Sequence, residues 1–313
     1  MESPKTLQEA IVFFSNPDNC IAYMVMQRWP DGVVVCPNCG RKDVSWLAKQ
    51  RKWQCKSKHV KRQFSAKVGT IFEDSPLPLD KWLMAAWMIT NCKNGVSSYE
   101  IARAVNVTQK SAWFMLQRLR LAMQDDKGGK LGGEIEMDET FIGGKVQNMH
   151  RSKRPRGLGR SHGIQGKTIV VGMLERQGRV KTAIVCERTQ KMLHGLANAN
   201  IAPGSTLITD EWGPYKGNQF VHEIINHADA YVRGHVHTNG IENFWSLLKR
   251  SLSGTYVSVE PFHLFRYLDE QMFRYNNRRD KTDKDRFALA LSQIAGKRLT
   301  YAEVTGKVPE TAI

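Results

Sequence analysis

The run Cys36-Pro37-Asn38-Cys39-Gly40 constrains the fold more than any other feature of the chain. Two thiolates separated by two residues, with a glycine to turn the backbone, form a knuckle that presents both sulfurs to one point. Fifteen residues separate Cys39 from Cys55, and three more separate Cys55 from His59. Three sulfurs and an imidazole complete a tetrahedral structural Zn2+ site. The bland alternative is a set of inert thiols beside a surface His59. A basic unit the size of residues 31–70 has little core of its own, so a metal would supply part of its folding free energy. With no signal peptide at the start, six cysteines argue against a disulfide framework, and Cys20, Cys92 and Cys186 read as small buried hydrophobes.

The charge balance narrows the partner. Forty-six Lys and Arg against 30 Asp and Glu leave a net charge of +16 over 313 residues, which favours a polyanion. Charge alone does not separate nucleic acid from an anionic membrane. The strongest apolar run, Trp82 to Ile89, is far too short to span a bilayer, so nucleic acid and a cytoplasmic location are the expectation, with no membrane partner. The basic residues also cluster: ten against one acid from Arg41 to Lys67, and seven against none from Lys145 to Lys167. Both blocks suit salt-sensitive phosphate contacts, with Arg51, Lys52, Arg154 and Arg156 as candidates.

Helical signals fill the first part of the chain. Two short helices are expected at 6–14 and 17–28, the second with Pro17 in its first turn. A third is expected at 79–92, packing through Trp82, Leu83, Ala86 and Trp87. Residues 96–123 read as two helices joined by a short turn: Ser97 and Glu100 form a capping box, and Thr108 can cap the second. That second helix sets Gln109, Lys110, Arg118 and Arg120 around a stripe of Ala112, Met115, Leu116 and Leu119. It suits either a helix-turn-helix reading the major groove, with Lys110 and Arg118 on DNA, or an ordinary helical hairpin. The glycine-rich run 125–133 marks the clearest boundary. The expected units are N-terminal helices at 1–30, the zinc unit at 31–70, the helical region at 71–127, an α/β body at 134–290 and a tail at 291–313.

Carboxylates punctuate the body. Residues 134–142, EIEMDETFI, alternate as a half-buried strand with Ile135, Met137 and Phe141 on one face and Glu136, Asp138 and Thr140 on the other. Strands at about 167–176 and 179–185, joined at Gln177-Gly178, precede a helix near 189–199. Asp210 ends a further strand, before the Gly213-Pro214 stop. In HVHTNGIENFWSLLKR, residues 235–250, Glu242 and Lys249 lie nearly two helical turns apart on one face, beside a buried stripe of Ile241, Phe244, Leu248 and Leu252. Two aspartates and a glutamate from separate elements make a minimal oxygen-rich cage for Mg2+ or Mn2+, though any three of the 30 acids could be chosen on residue type alone.

The ordered set MDETFIGGK, LITDEWGPY, HVHTNGIENFWSLLKR and FRYNNR resembles the catalytic region of bacterial insertion-sequence transposases of the DDE type. The nearest likeness is to the branch with an N-terminal zinc ribbon, related to the eukaryotic Merlin transposases. QFSAKVGTIFEDSPLPLDKW likewise resembles that branch's run out of the ribbon. The resemblance implies an RNase H-like catalytic core in which Asp138, Asp210 and Glu242 hold two Mg2+ or Mn2+ ions and Lys249 grips a phosphate. It further implies double-stranded DNA as partner, both transposon ends and target, with metal-dependent cleavage and strand transfer, and by analogy a homodimer on DNA. Asn239 suits either a helix N-cap or a supporting contact to metal or substrate. Trp245 suits core packing or stacking on a displaced base, and His235 and His237 either touch the scissile strand or are solvated. Two other functions stay open: a DNA-binding regulator whose carboxylates are only structural, and an RNase H-like nuclease without strand joining.

Overall fold

The computed structural model describes residues 3–125, 128–144, 166–210, 220–225 and 237–308; Arg154, Arg156 and His235 lie outside them. The chain forms two compact units, Met1–Gln124 with Asn277–Ile313, and Asp125–Asn276. Among the described residues no helix is long and apolar enough to cross a membrane.

The first unit begins with α1 (Leu7–Phe14) and α2 (Pro17–Arg28), each started by a side chain that accepts an otherwise unpaired amide: Thr6 from Glu9, and Asn16 from Asp18. Three short antiparallel strands follow, β1 (Val44–Leu47), β2 (Lys52–Cys55) and β3 (Gln63–Phe64), with Val44 opposite Cys55 and Trp53 opposite Phe64. Their small core is aromatic, the Trp53 ring lying 4.6 Å from Trp46 and 5.9 Å from Phe64. Next come α3 (Leu79–Asn91), α4 (Ser98–Val105) and α5 (Gln109–Ala122). The Ser97/Glu100 capping box starts α4, Asn106 leaves it at φ 51°, and Thr108 accepts the Ser111 amide to start α5.

The C-terminal segment departs from expectation. Residues 277–313 belong to the first unit, so the α/β body does not run to 290 and residues 291–313 are not a detached tail. They supply α9 (Asp283–Ser292) and α10 (Tyr301–Val304), each opened by a capping box, Thr282 with Asp285 and Thr300 with Glu303. Phe287 of α9 explains the return: its ring sits 4.9 Å from Trp87, 5.5 Å from Tyr23 and 5.7 Å from Phe14, which joins α9 to three earlier helices.

The second unit is built on a five-stranded sheet of β4 (Glu134–Ile142), β5 (Thr168–Glu175), β6 (Val180–Val185), β7 (Thr206–Asp210) and β8 (Val221–Ile225), in the order β6-β5-β4-β7-β8. The first three strands are antiparallel, whereas β7 and β8 run parallel to β4. Helix α6 (Gln190–Asn200) covers one face, packing Leu193 and Ala197 on Ile135, Met137, Val171, Met173 and Leu207. Helices α7 (Asn239–Arg250) and α8 (Leu264–Asn276) cover the other, where Ile241, Phe244, Trp245 and Leu248 meet Val170, Leu174 and Val180. Burying each of these apolar side chains stabilises the packing by about 1.5–3 kcal/mol. Being central, β4 is buried on both faces at Ile135, Glu136, Met137 and Thr140, whereas Asp138, Glu139, Phe141 and Ile142 toward its end are partly exposed.

Candidate functional site

The sheet brings the acids together. Register pairs Glu134 with Thr206 and Glu136 with Ile208 across the parallel β4–β7 ladder. Carried on by two residues, that offset sets Asp210 beside Asp138, and the two-residue strand period aims both at the α7 face. Glu242 stands in the first turn of α7, exposed, and accepts the Thr238 hydroxyl at 3.1 Å.

Electrostatics report the same convergence. Burial first, then the charges of Asp210 and Glu242, raise the Asp138 carboxyl from 3.8 to about 6 against the hydrogen bonds of the Glu139 backbone and the Trp245 indole, which pull it down. Trp245 is 4% exposed, and its Nε1–H donates to Asp138 Oδ2 at 3.0 Å. It therefore orients the acid from within the core instead of offering its ring at the surface. Gly172, paired with Asp138 across the ladder, makes the room: a Cβ there would lie 2.6 Å from Trp245 Cζ2. Lys249 is exposed, like Glu242, near the far end of α7. Asn239 is the first residue of α7 and exposed; Thr238 occupies the N-cap position, so Asn239 is not the cap. His237 is partly exposed and lies 3.6 Å, through Nδ1, from Glu136 Oε1.

Several participants lie outside the sequence-based reading, namely Glu136, Arg176, Gly172 and Gly240. Glu136 sits two residues before Asp138 on the same strand face and is 1% exposed. The only sequence signal for it was that two-residue spacing, which it shares with a solvated acid.

In the first unit, Cys36, Cys39, Cys55 and His59 place one donor atom each within 4.8 Å of one another. Cys39 Sγ is 3.6 Å from Cys55 Sγ and Cys36 Sγ is 3.5 Å from His59 Nε2, spacings that suit the corners of a tetrahedron around zinc. Gly40, at φ 72°, donates its amide to the Cys36 carbonyl at 2.9 Å and closes the knuckle. His59 Nδ1 lies 2.6 Å from the Val60 carbonyl oxygen, a contact that needs the proton on Nδ1 and leaves the Nε2 lone pair facing the thiols. The donor set fits a structural Zn2+.

The expected nucleic-acid contacts separate. Lys52 and Lys110 are exposed, Lys110 over the Tyr301 ring at 5.1 Å, and exposed Arg51 pairs through Nε with Asp18 at 2.7 Å. Arg118 is a correction. It is 5% exposed and its guanidinium donates to the carbonyls of Leu299 at 2.9 Å, Ile71 at 2.9 Å and Glu73 at 2.7 Å. The side chain ties three backbone segments together, and burial pulls its pKa down to about 10. Arg120 is buried as well, so α5 offers basic side chains at its start and not along its length.

Comparison with known proteins agrees with this layout. The model of the ISXO2-like transposase domain matches residues 130–276, and that of the transposase zinc-ribbon domain matches residues 15–57. A protein of the transposable element ISH50 of Halobacterium salinarum, described as uncharacterized, is 29% identical over 240 residues, covering 72% of this chain and 80% of its own. A chain of the Mos1 strand transfer complex crystal structure aligns over 63% of this chain and 70% of its own at 12% identity, with a TM-score of 0.25. Residues 15–57 and 130–276 therefore carry, in the order that the ribbon cysteines and the acid-bearing sheet occupy, a transposase zinc ribbon and an ISXO2-like transposase domain.

Proposed function

We propose that the protein binds the terminal inverted repeats of its own insertion sequence and catalyses metal-dependent DNA cleavage and strand transfer. One observation carries the reading: Asp138, on the central strand, stands in the electrostatic reach of both Asp210 and Glu242, three acids drawn from two strands and a helix. The strand order β6-β5-β4-β7-β8, antiparallel then parallel, supports an RNase H-like core, and α4 with α5 supports a helix-turn-helix whose readable part is the start of α5. Carboxylates are the ligands hard divalent cations prefer, so this donor set fits Mg2+ or Mn2+. Bound there, such ions would lower the cost of negative charge on the attacking and leaving oxygens of a phosphodiester.

The side chains then divide the work. Asp138 must be ionised to act as a ligand, and the Trp245 N–H holds the ionised form in the required orientation. Lys249, on the helix that bears Glu242, would grip a phosphate of the scissile strand. In the first step water forms a bond to phosphorus and the 3′-oxygen leaves; in the second that 3′-hydroxyl attacks target DNA and displaces another 3′-oxygen. Neither step calls for a covalent protein intermediate. Lys52, Lys110 and the ribbon surface would contact phosphates, and a homodimer would pair two ends.

The test uses zinc-loaded protein, Mg2+ and a duplex carrying the element's end. Cleavage by wild type but not by Asp138→Asn or Glu242→Gln, with joining of the freed 3′-end to a second duplex, is expected. Binding without cleavage by wild type would remove the enzyme reading and leave a DNA-binding protein, equal cleavage by wild type and Asp138→Asn would remove Asp138 from the site, and cleavage without joining would leave a nuclease.

A further inference from the structure

Glu136 takes no part in the proposed chemistry, although it shares a strand face with Asp138. Its two oxygens are committed elsewhere. Oε2 accepts the Ile241 N–H at 2.9 Å, so a carboxylate from the central strand caps α7, whose own Thr238 makes no side-chain cap bond. Oε1 accepts Arg176 Nε at 3.3 Å and lies 3.6 Å from His237 Nδ1. Arg176 extends the clamp: Nη1 pairs with Glu134, also on β4, and Nη2 donates to the His237 carbonyl at 3.0 Å, just ahead of the helix. Gly240 permits the approach, because a Cβ there would fall 2.7 Å from Glu136 Oε2 and 2.6 Å from Leu174 Cδ2.

We infer that Glu136 is a positioning residue for the third carboxylate. It fixes the start of α7 against β4 and so sets where Glu242, the residue after the amide it holds, stands relative to Asp138. A buried anion at a helix N-terminus is favoured by the unpaired amides and the helix dipole, and here Arg176 neutralises it as well. Seen this way, the acids of β4 have different tasks: Asp138 faces the reaction and Glu136 holds the helix that completes the site. The inference rests on the metal-site reading of Asp138, Asp210 and Glu242.

The experiment uses the zinc-loaded full chain and Mn2+ alone as probe, with free Mn2+ followed by electron paramagnetic resonance and amide exchange followed over residues 239–243. Glu136→Gln keeps an oxygen for Ile241 but loses the charge that Arg176 pairs with; Glu136→Ala loses both. Wild type is expected to bind Mn2+, Asp138→Asn to lose it, Glu136→Gln to bind about tenfold more weakly, and Glu136→Ala more weakly still. Exchange in the first turn of α7 should quicken in both Glu136 variants and stay at the wild-type rate in Asp138→Asn. In DNA cleavage, kcat should fall in Glu136→Gln while duplex affinity is unchanged. If Glu136→Ala does not fold, Glu136→Gln alone decides. Wild-type Mn2+ affinity and wild-type exchange in Glu136→Gln would overturn the inference. So would complete loss of Mn2+ with unchanged exchange, since Glu136 would then be a ligand. Wild type and Asp138→Asn binding Mn2+ alike would overturn the metal-site reading and this role with it, a result recognisable without any Glu136 substitution.

Discussion

Replacing Asp138 by Asn should abolish cleavage and, without added Mg2+ or Mn2+, make the protein more stable. The reason is the position of the acid, half-buried beside Trp245 and under the charges of Asp210 and Glu242, which raises its pKa from 3.8 to about 6. Below the lower value both folded and unfolded chains hold the proton and the group contributes nothing. Between the two values the folded chain keeps a proton that the unfolded chain has released, so stability falls as pH rises; above the upper value the whole penalty is present. Its size is roughly 3 kcal/mol at pH 7.5 and roughly 2 kcal/mol at pH 5.5. Asn removes the charge and keeps an oxygen for the Trp245 N–H, so most of that should be recovered. For a unit the size of residues 125–276 the corresponding rise in Tm is roughly 6–12 °C at pH 7.5. The assay is thermal unfolding of zinc-loaded protein followed by tryptophan fluorescence at both pH values, with and without Mg2+. Mg2+ should stabilise wild type and leave the variant where it was. An unchanged or lower Tm for Asp138→Asn at pH 7.5 would refute the claim that the folded chain holds this carboxylate at a cost.

Further outcomes follow from the same contacts. Trp245→Phe keeps most of the buried ring but removes the N–H, so Asp138 becomes harder to ionise and Mn2+ affinity should fall about 10–100-fold, measured by Mn2+ titration. Gly172→Ala forces a methyl against Trp245 and should cost about 1–3 kcal/mol in urea unfolding, with a loss of cleavage that a more distant glycine such as Gly195 would not reproduce on substitution. Cys55→Ser, or zinc removal by a chelator, should unfold the three-stranded unit while the Asp125–Asn276 unit keeps its circular dichroism, checked by limited proteolysis within residues 31–64. Arg118→Met should lower stability, because three carbonyls lose their donor, and leave the salt dependence of DNA binding unchanged; a shallower salt slope would return Arg118 to the DNA-contacting surface.

The sequence made some of these residues legible because their signals are local. A thiol knuckle closed by Gly40, the Ser97/Glu100 box and the turn at Gln177-Gly178 are each written within a few adjacent residues, and each appears where expected. The capping boxes at Thr282/Asp285 and Thr300/Glu303 are local too, yet α9 belongs to the first unit because Phe287 finds Phe14, Tyr23 and Trp87, and α10 because Tyr301 meets Phe114, partners far off in sequence. The fate of Arg118 has the same cause. Its place on an amphipathic helix suits a DNA contact until Leu299, more than 180 residues later, supplies a carbonyl for it.

The acids of EIEMDETFI show where such legibility ends. Period two puts Glu134, Glu136 and Asp138 on one face and says nothing further. What distinguishes them is the opposing surface: Gly172 clears a slot for the indole that orients Asp138, Gly240 lets a helix backbone descend onto Glu136, and Arg176 takes Glu134 and Glu136 together. Each glycine matters through the side chain it lacks, a contribution with no local pattern of its own. A carboxylate's role in this sheet is therefore set less by its place on the strand than by what the partner element leaves out, and the two glycines should tolerate substitution as poorly as the acids they serve.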